Sequence, residues 1–279
     1  MNLCLHVLGK RPDGYHEVRT VLQKLDLRDR VTLTARPRGL RVWCSHPDVP
    51  DGPSNLAYRA AERLLDAAGS AAGCSVYIEK RIPVAAGLGG GSADAASVLF
   101  GLNALLGLDR PAGDLAGMAG DLGADVPFFL GGPCALGEGK GDLLKALKPG
   151  PVRAVVLVKP PFSVSTGWAY GVLKSGLTPS PVKSKITEEF RVHRFLPPGW
   201  DVGRNDLEGP VLNAHPEVGE LKARLEDLGA DFALMCGSGP TVFGWFGDVR
   251  RAGRAARILS GQGLFCRLTR TLGVGDQMF

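Results

Sequence analysis

The sequence predicts an α+β protein with two domains, residues 1–150 and 151–279. Its 279 residues are enough for two domains of ordinary size. Strand-type alternation dominates the beginning of the chain, and a glycine cluster then separates a strand pattern from a long helical pattern. The last part of the chain has the order helix, strand, strand, helix and strand. Strands and helices grouped in this way favour the α+β class.

The composition is that of a soluble globular protein. Apolar residues make up 44% of the chain and charged residues 22%, with a net charge of +5 and a pI near 8.9. This mild positive excess would suit a polyanionic small molecule, although ordinary solubility charge explains it equally well. The chain lacks a dense block of Lys and Arg, so we expect no nucleic-acid partner.

Cysteine usage and hydropathy predict a reduced, cytoplasmic protein without a membrane segment. The six cysteines are widely spread, with neither a C-x-x-C pair nor a Cys/His cluster at metal-binding spacing. The first residues lack a basic region followed by a long apolar run, so we expect no signal peptide. No stretch reaches the roughly 18 uninterrupted apolar residues that a membrane helix needs.

Strand patterns at Asn2–Leu8, with Leu3, Leu5 and Val7 on one face, and after residue 16 flank the turn-forming sequence Pro12-Asp13-Gly14. Tyr15 and His16 follow this turn directly. An aromatic ring beside an imidazole can stack on and hydrogen-bond to a flat ligand, but taken alone such a pair after a turn is more often structural than functional.

A helical pattern begins after Pro53, where Ser54 and Asn55 are suited to cap it. The strand at 74–79 then enters the glycine cluster at 87–91, and we expect Ser92 to be the N-cap of the following helix. The apolar face of that helix is predicted to contain Ala95, Val98, Leu99 and Leu102.

The glycine cluster and the helix start predict a phosphate-binding loop. Glycines allow successive backbone N–H groups to turn inward, and a helix N-terminus adds unsatisfied donors. The Walker A pattern is excluded because no lysine follows the glycines, and the dinucleotide pattern is excluded because Ser92 occupies its last glycine position. The alternative is a loop of small residues that only serves tight helix packing.

Asp125 lies between a small-residue turn and the apolar run Val126–Leu130. A carboxylate in such surroundings is partly desolvated, which raises its pKa and favours proton acceptance. The alternative is an aspartate that caps a helix or stabilises a turn.

The C-terminal part predicts a strand at 154–158, a short helix at 165–175 and a polar surface connection at 178–200. A helix at 217–228, two strands, a helix at 248–260 and a last strand then indicate a ferredoxin-like sandwich. The two strands are joined by Gly237-Ser238-Gly239-Pro240, which could be a ligand loop or only a tight hairpin turn.

Several segments, taken in order, resemble one family. They are GKRPDGYHEV, PSNLAYRAA, KRIPVAAGLGGGSADAA, LGADVPFF and GSGPTVF. These segments are similar to those of the 4-diphosphocytidyl-2-C-methyl-D-erythritol kinases of the GHMP kinase superfamily. The resemblance implies an N-terminal, ATP-binding domain of the ribosomal-protein-S5-like kind and a C-terminal ferredoxin-like domain.

The resemblance also implies an activity: transfer of the γ-phosphate of ATP, with Mg²⁺, to the 2-hydroxyl of 4-(cytidine 5'-diphospho)-2-C-methyl-D-erythritol in the non-mevalonate isoprenoid pathway. Asp125 would be the general base and would contact the substrate. The implied ATP-binding residues are Asn55, Lys80, Pro83, Gly87, Leu88, Gly89, Gly90, Gly91 and Ser92, with Ser92 also a possible metal ligand. The implied substrate-binding residues are Asn2, Tyr15, His16, Tyr170, Gly237, Ser238, Gly239 and Thr241. Among them, Tyr15 and His16 would bind the cytosine ring, and Tyr170 would cover its other face. A monomer or weak homodimer is expected.

The sequence departs from the family at its beginning. Family members carry Pro-Ala-Lys before the first strand, whereas this sequence starts Met1-Asn2-Leu3 and lacks that lysine. We expect the missing residues to lie upstream of Met1. The alternatives are a GHMP kinase for another small alcohol, such as homoserine or a mevalonate derivative, and a nucleotide-binding form with impaired catalysis.

Overall fold

A computed structural model describes residues 1–173 and 203–276, where the chain forms two compact units. The first unit consists of Met1–Asp26, Ala85–Leu88 and Pro133–Asp276. The second unit contains Leu27–Val84 and Gly89–Gly132. These units are assembled from separate segments, so they do not test the predicted domain boundary at residue 150, which stays a prediction. The predicted polar connection at 178–200 lies outside the described residues.

Helices and strands are mixed along the described chain, as predicted for the α+β class. Up to residue 146 the elements are β1 (Asn2–Lys10), β2 (His16–Gln23), β3 (Arg30–Arg36), β4 (Leu40–Cys44), α1 (Leu56–Ala67), β5 (Gly73–Glu79), α2 (Gly90–Leu105), α3 (Ala112–Leu122), α4 (Val126–Leu130), β6 (Cys134–Glu138) and β7 (Leu143–Ala146). They continue with β8 (Ala154–Lys159), α5 (Thr166–Gly171), α6 (Glu208–Ala214), α7 (Pro216–Asp227), β9 (Phe232–Met235), β10 (Val242–Phe246), α8 (Val249–Ser260) and β11 (Phe265–Arg270).

In the first unit, one sheet has the strand order β1-β2-β6-β7, and its neighbouring strands are antiparallel. Leu3, Leu5 and Val7 of β1 are buried, which confirms the predicted inward face. The turn between β1 and β2 forms where Pro12-Asp13-Gly14 predicts it. Gly14 has a φ of +86°, and the Arg11 N–H donates to the Tyr15 carbonyl at 2.8 Å.

The second sheet of this unit has the order β11-β8-β10-β9, again with antiparallel neighbours. The connections run from β8 through α7 to β9, then by a hairpin to β10, and through α8 to β11. This order of strands and helices confirms the predicted ferredoxin-like arrangement. Buried apolar residues of the sheet and its helices form the core, among them Val156, Val158, Leu225, Phe246 and Leu259.

The second unit contains a three-stranded sheet in the order β3-β5-β4, packed with helices α1 to α4. Alanines on the buried faces of α1 and α2 allow these helices to approach closely. Gly101 in α2 has a similar purpose, because a Cβ at this position would come within 2.7 Å of the Leu33 side chain of β3. This packing fixes α2, and therefore its N-terminal end, against the sheet.

Candidate active site

The glycine cluster forms the N-terminal end of α2. Gly89 is the N-cap residue, with a φ of +71° in the left-handed region, and the helix begins at Gly90. The expectation that Ser92 caps this helix is therefore wrong, because Ser92 is already the third helical residue. Gly90 and Gly91 adopt helical geometry, so the cap lies three residues earlier, at Gly89, than the capping preference of serine suggests. The predicted apolar face is confirmed, since Ala95, Val98, Leu99 and Leu102 are buried.

The start of α2 presents unused backbone donors. In an α-helix the N–H groups of the first turn have no intrahelical acceptor, and here they belong to Gly90, Gly91 and Ser92. The N-cap Gly89 has no side chain and makes no capping hydrogen bond. Gly91 is exposed, and a Cβ there would meet only the Leu56 side chain, at 3.9 Å. This helix end can therefore accept an anion, and the helix dipole adds to the attraction.

Gly87 lies against the second glycine-rich segment, within the first unit. Its φ is +72°, and a Cβ on Gly87 would lie 2.4 Å from the Cys236 carbonyl oxygen and 2.9 Å from that of Gly239. Gly237 and Gly239 also have positive φ, +52° and +78°. Close packing of two main-chain segments thus requires glycine at position 87, independently of any ligand.

Asp125 precedes α4, a helix of the second unit that packs on the glycine loop. Phe129 of α4 touches this loop, because a Cβ on Gly89 would come within 3.0 Å of the Phe129 ring. Residues four apart lie on one side of a helix, so Asp125 is on the side of α4 that faces Gly89. Asp125 occupies the N-cap position but makes no capping hydrogen bond. Asp125 therefore occupies the cap position, as the alternative interpretation predicts, but its side chain does not cap the helix.

The Asp125 carboxyl group is suited to accept a proton. Its side chain remains accessible to solvent, while the protein atoms around it desolvate the carboxyl and raise its pKa above the ordinary value of 3.8. A raised pKa makes the carboxylate a stronger base.

Asn55 and Lys80, both predicted to bind ATP, have structural partners. The Asn55 side chain caps α1 by accepting the Ala57 N–H at 2.8 Å, and its amide donates to the Pro50 carbonyl at 2.8 Å. The Lys80 ammonium lies between the carboxylates of Asp29 and Asp94, and its side chain is only 6% exposed. The Lys80 ammonium group is therefore engaged by two carboxylates of the protein. Pro83 is half-buried in the segment that leads to the glycine loop.

Tyr15 and His16 emerge from the turn between β1 and β2. Tyr15 is 57% exposed, and the Lys140 ammonium lies 5.1 Å from the centre of its ring. The His16 ring is stacked on Tyr170 of α5, with 5.0 Å between ring centres and 26° between planes. Tyr15 thus presents the open aromatic ring, whereas Tyr170 supports the imidazole directly.

Other predicted substrate residues are held by hydrogen bonds in the first unit. The Asn2 amide donates to the Thr20 hydroxyl at 2.8 Å, and the Ser238 hydroxyl lies 2.9 Å from that of Thr166. The Thr241 hydroxyl is buried and has no hydrogen-bond partner among the described residues. It could reach a ligand only after a local rearrangement.

Several residues that hold predicted site residues in place are not apparent from the sequence. Asp29 and Asp94 bind Lys80, and buried Asn205 donates to the carbonyls of Met235 and Gly237 at 2.9 and 2.7 Å. A signal for Asp94 existed: it lies four residues before buried Val98 on α2, so it interrupts an apolar stripe with a charge that must find a partner. Asp29 and Asn205 lie in irregular segments, where no periodicity marks them.

Within residues 1–173 and 203–276, no cluster of three or more His, Cys, Asp or Glu side chains could hold a metal ion. Mg²⁺ that enters with a nucleotide fits this finding, because it is commonly held by phosphate oxygens, waters and one or two protein ligands. None of the helices described combines the length and the apolar character that a membrane crossing requires.

The comparisons with known proteins identify the class. Residues 55–133 match the profile of the GHMP kinases N terminal domain, and residues 198–263 match that of the GHMP kinases C terminal domain. Solved structures of homoserine kinase from Cytophaga hutchinsonii (17% identity, TM-score 0.59, 97% of this chain and 89% of that chain) and of L. major mevalonate kinase (14%, 0.65, 93% and 91%) share the fold. The chain belongs to the GHMP kinase family and has its two-domain α+β fold.

Closer relatives define the member of that family. A 4-diphosphocytidyl-2-C-methyl-D-erythritol kinase of Geobacter sulfurreducens is 44% identical over 98% of this chain and 96% of its own length. A solved structure of 4-(cytidine 5'-diphospho)-2C-methyl-D-erythritol kinase has 38% identity and a TM-score of 0.81, covering 98% of this chain and 97% of its own. This chain belongs to the 4-diphosphocytidyl-2-C-methyl-D-erythritol kinases, as the sequence motifs predict.

Proposed function

We propose that this protein transfers the γ-phosphate of ATP to the 2-hydroxyl of 4-(cytidine 5'-diphospho)-2-C-methyl-D-erythritol. The observation that carries the proposal lies in the second unit. There the uncapped N-terminus of α2, which can accept an anion, is packed against the helix α4, whose N-cap residue Asp125 has a carboxyl with a raised pKa. A phosphate site beside a base is what phosphoryl transfer to an alcohol requires.

The first-turn N–H groups of α2 would hold the phosphates of ATP. These groups are fixed before the nucleotide arrives, so little reorganisation is needed as charge develops in the transition state. Mg²⁺, when bound with ATP, would neutralise phosphate charge, and the Ser92 hydroxyl is the residue at this helix end that could be its ligand. The main chain at Lys80 and Pro83, together with the cap residue Asn55, would meet the adenosine end.

Asp125 would accept the proton of the attacking hydroxyl. Desolvation raises its pKa, so the carboxylate is a better base than an aspartate in water. Removal of the proton makes the oxygen a stronger nucleophile at the moment when it attacks the γ-phosphorus.

The cytidine part would be recognised in the first unit. The exposed ring of Tyr15 would stack on the base, and His16, held by Tyr170, would hydrogen-bond to its polar edge. The segment Gly237–Thr241 and Asn2, which belong to the same unit, would also contact the substrate. A role for Tyr170 in covering the other face of the base would require its ring to leave His16.

The test is an assay of purified protein for ATP- and Mg²⁺-dependent phosphorylation of the cytidine substrate, with homoserine and mevalonate as competing alcohols. We expect turnover of the cytidine substrate alone. Equal turnover of an alcohol without cytosine would favour a GHMP kinase of other specificity, and no turnover would contradict the proposal. Nothing in the described part of the chain favours the alternative of a catalytically impaired form.

The variant Asp125→Asn tests the base. It should lose at least about 100-fold in kcat, the usual contribution of a general base, while ATP binding measured by calorimetry stays unchanged. The matched control is Asp121→Asn in α3, whose exposed carboxylate pairs with Arg63 at the surface. Unchanged kcat in Asp125→Asn would exclude Asp125 as the base.

A further inference from the structure

A buried cluster of three charges lies beneath the phosphate-binding end of α2. The Lys80 ammonium is 2.5 Å from a carboxylate oxygen of Asp29 and 2.8 Å from one of Asp94. The three side chains are 6%, 3% and 4% exposed. With both carboxylates ionised the cluster has a net charge of −1, which costs desolvation energy that tight hydrogen bonding must offset.

The cluster ties together three separate segments of the second unit. Asp29, before β3, also accepts the main-chain N–H groups of Arg81 and Ile82, at 2.5 and 2.8 Å, through its other carboxylate oxygen. The main-chain N–H of Lys80 donates to the Ser45 hydroxyl at 2.9 Å. The segment that follows β5 is therefore fixed both by its main chain and by the Lys80 side chain.

This fixed segment touches the first helical residue of α2. A Cβ on Gly90 would lie 3.0 Å from a methyl carbon of Ile82 and 3.2 Å from the Lys80 ammonium nitrogen. Asp94 belongs to α2 itself, one turn further along. The first turn of α2 is thus held from below by Ile82 and Lys80 and from within the helix by Asp94.

Stability alone does not explain such a cluster. Replacing buried ion pairs by apolar residues of similar volume is often neutral or stabilising. Burial raises the pKa of Asp94 to about 7 even though the Lys80 charge opposes this rise, so the ionised cluster is held against an electrostatic cost. The cluster lies under the phosphate-binding N–H groups, and this position indicates that it serves ligand binding and not stability.

We propose that Asp29, Lys80 and Asp94 are positioning residues for the nucleotide phosphates, which hold the first turn of α2 in the orientation that aims its N–H groups at them. Lys80 then acts through the helix and does not contact the nucleotide with its ammonium group. The proposal rests on the proposed function only in that phosphates bind at this helix end.

The experiment measures Kd by calorimetry for ATP and for adenosine, well below the melting temperature. Asp94→Ala should weaken ATP binding by about tenfold or more, because small displacements of positioning groups cost this much. Adenosine binding should not change. In Asp94→Asn the amide oxygen can still accept from Lys80. This variant should therefore bind ATP to within about threefold of the original protein, because it loses one charge but keeps the hydrogen bond.

The matched control is Arg81→Ala. Arg81 is the next residue, and its guanidinium makes an exposed pair with Glu79 at 2.6 Å, so its removal should alter neither Kd. Equal weakening of ATP and adenosine in Asp94→Ala would overturn the proposal and assign the cluster to the nucleoside end. Unchanged ATP binding would overturn it as well.

A second variant covers the case in which the first does not fold, and a binding readout separates this proposal from the proposed function. If Asp94→Ala does not fold, Asp29→Asn carries the same test. Both carboxylate oxygens of Asp29 accept hydrogen bonds, one from Lys80 and the other from the Arg81 and Ile82 N–H groups, whereas an amide has only one oxygen and must lose one of these contacts. Because the readout is binding, it is independent of catalysis: a protein without kinase activity whose Asp94→Ala variant selectively loses ATP affinity would refute the proposed function and support the positioning role.

Discussion

Gly91→Ala distinguishes a glycine required by a ligand from one required by the fold. Gly91 is the second residue of α2, is exposed, and would place its Cβ no closer than 3.9 Å to another protein atom. Alanine should therefore stabilise the helix by about 0.5–1 kcal/mol. For a protein of this size the melting temperature should rise by about 1–4 °C.

The same methyl group should harm ATP binding, because phosphates held by the N–H of Gly91 would approach its Cα closely. Overpacking of this kind costs about 1–3 kcal/mol, or roughly 5- to 150-fold in Kd. The control is Gly117→Ala in α3, which is also exposed with no atom within 4 Å of an added Cβ. It should show the same gain in melting temperature with unchanged Kd. If Gly91→Ala bound ATP as tightly as Gly117→Ala, the phosphates would not lie at this helix end.

Two further variants and a pH series test other parts of the site. Gly87→Ala should lower the free energy of unfolding by about 2–5 kcal/mol, measured by denaturant titration, because it combines a left-handed φ with main-chain clashes; a neutral effect would contradict the packing. Tyr170→Ala should raise KM for the cytidine substrate about 3- to 10-fold, because the His16 ring loses its stacking partner. KM for ATP should stay constant. Equal changes in both KM values would disprove a role specific to cytidine. In a pH series, kcat/KM should fall in acid through a pKa above 3.8, and Asp125→Asn should abolish this limb; a limb that persisted would belong to another group.

The Asp125 pKa also predicts how stability depends on pH. Its pKa is higher in the folded than in the unfolded state, so the folded protein binds more protons between the two values. The ionised carboxyl therefore destabilises the fold above the folded-state pKa, and this destabilisation disappears as the pH falls below the unfolded value near 3.8. Asp125→Asn should be more stable than the original protein at neutral pH and lose this advantage in acid. Thermal melts at several pH values measure the difference.

Much of the fold could be predicted because the apolar pattern and the turn chemistry agree. Leu3, Leu5 and Val7 alternate as the buried face of β1 requires, and Gly14 supplies the positive φ of the first turn. The ferredoxin-like order agrees with the element order at the end of the chain, where a helix, two strands, a helix and a strand follow one another with short connections. The grouping of residues 1–26 with 133–276 could not be predicted, since it depends on strand pairing between β2 and β6, far apart in sequence.

The site was harder to predict, because the sequence does not show whether a charged or aromatic side chain already has a partner within the protein. Lys80 was expected at the nucleotide, and only the positions of Asp29 and Asp94 show that its charge is already engaged. The sequence places Tyr170 at the cytosine ring, and only the structure shows that its own ring is stacked on His16. Pairings of this kind join residues 14 to 154 positions apart in the chain, where local periodicity carries no information.

The wrong assignment of the α2 cap is the most informative of these differences. Asn55, Ser165 and Asp248 each cap a helix with a side-chain oxygen that accepts a first-turn N–H, as the capping preferences predict. At α2 the cap position is Gly89, and serine stands three residues later, where its oxygen does not fill that role. A capping oxygen and a phosphate compete for the same N–H groups, so the start that would best stabilise the helix would also close the site. Capping rules describe helices whose first-turn N–H groups are bonded by the side chain of their own N-cap residue. A helix that binds an anion with these N–H groups is expected to lack such a side chain at the N-cap.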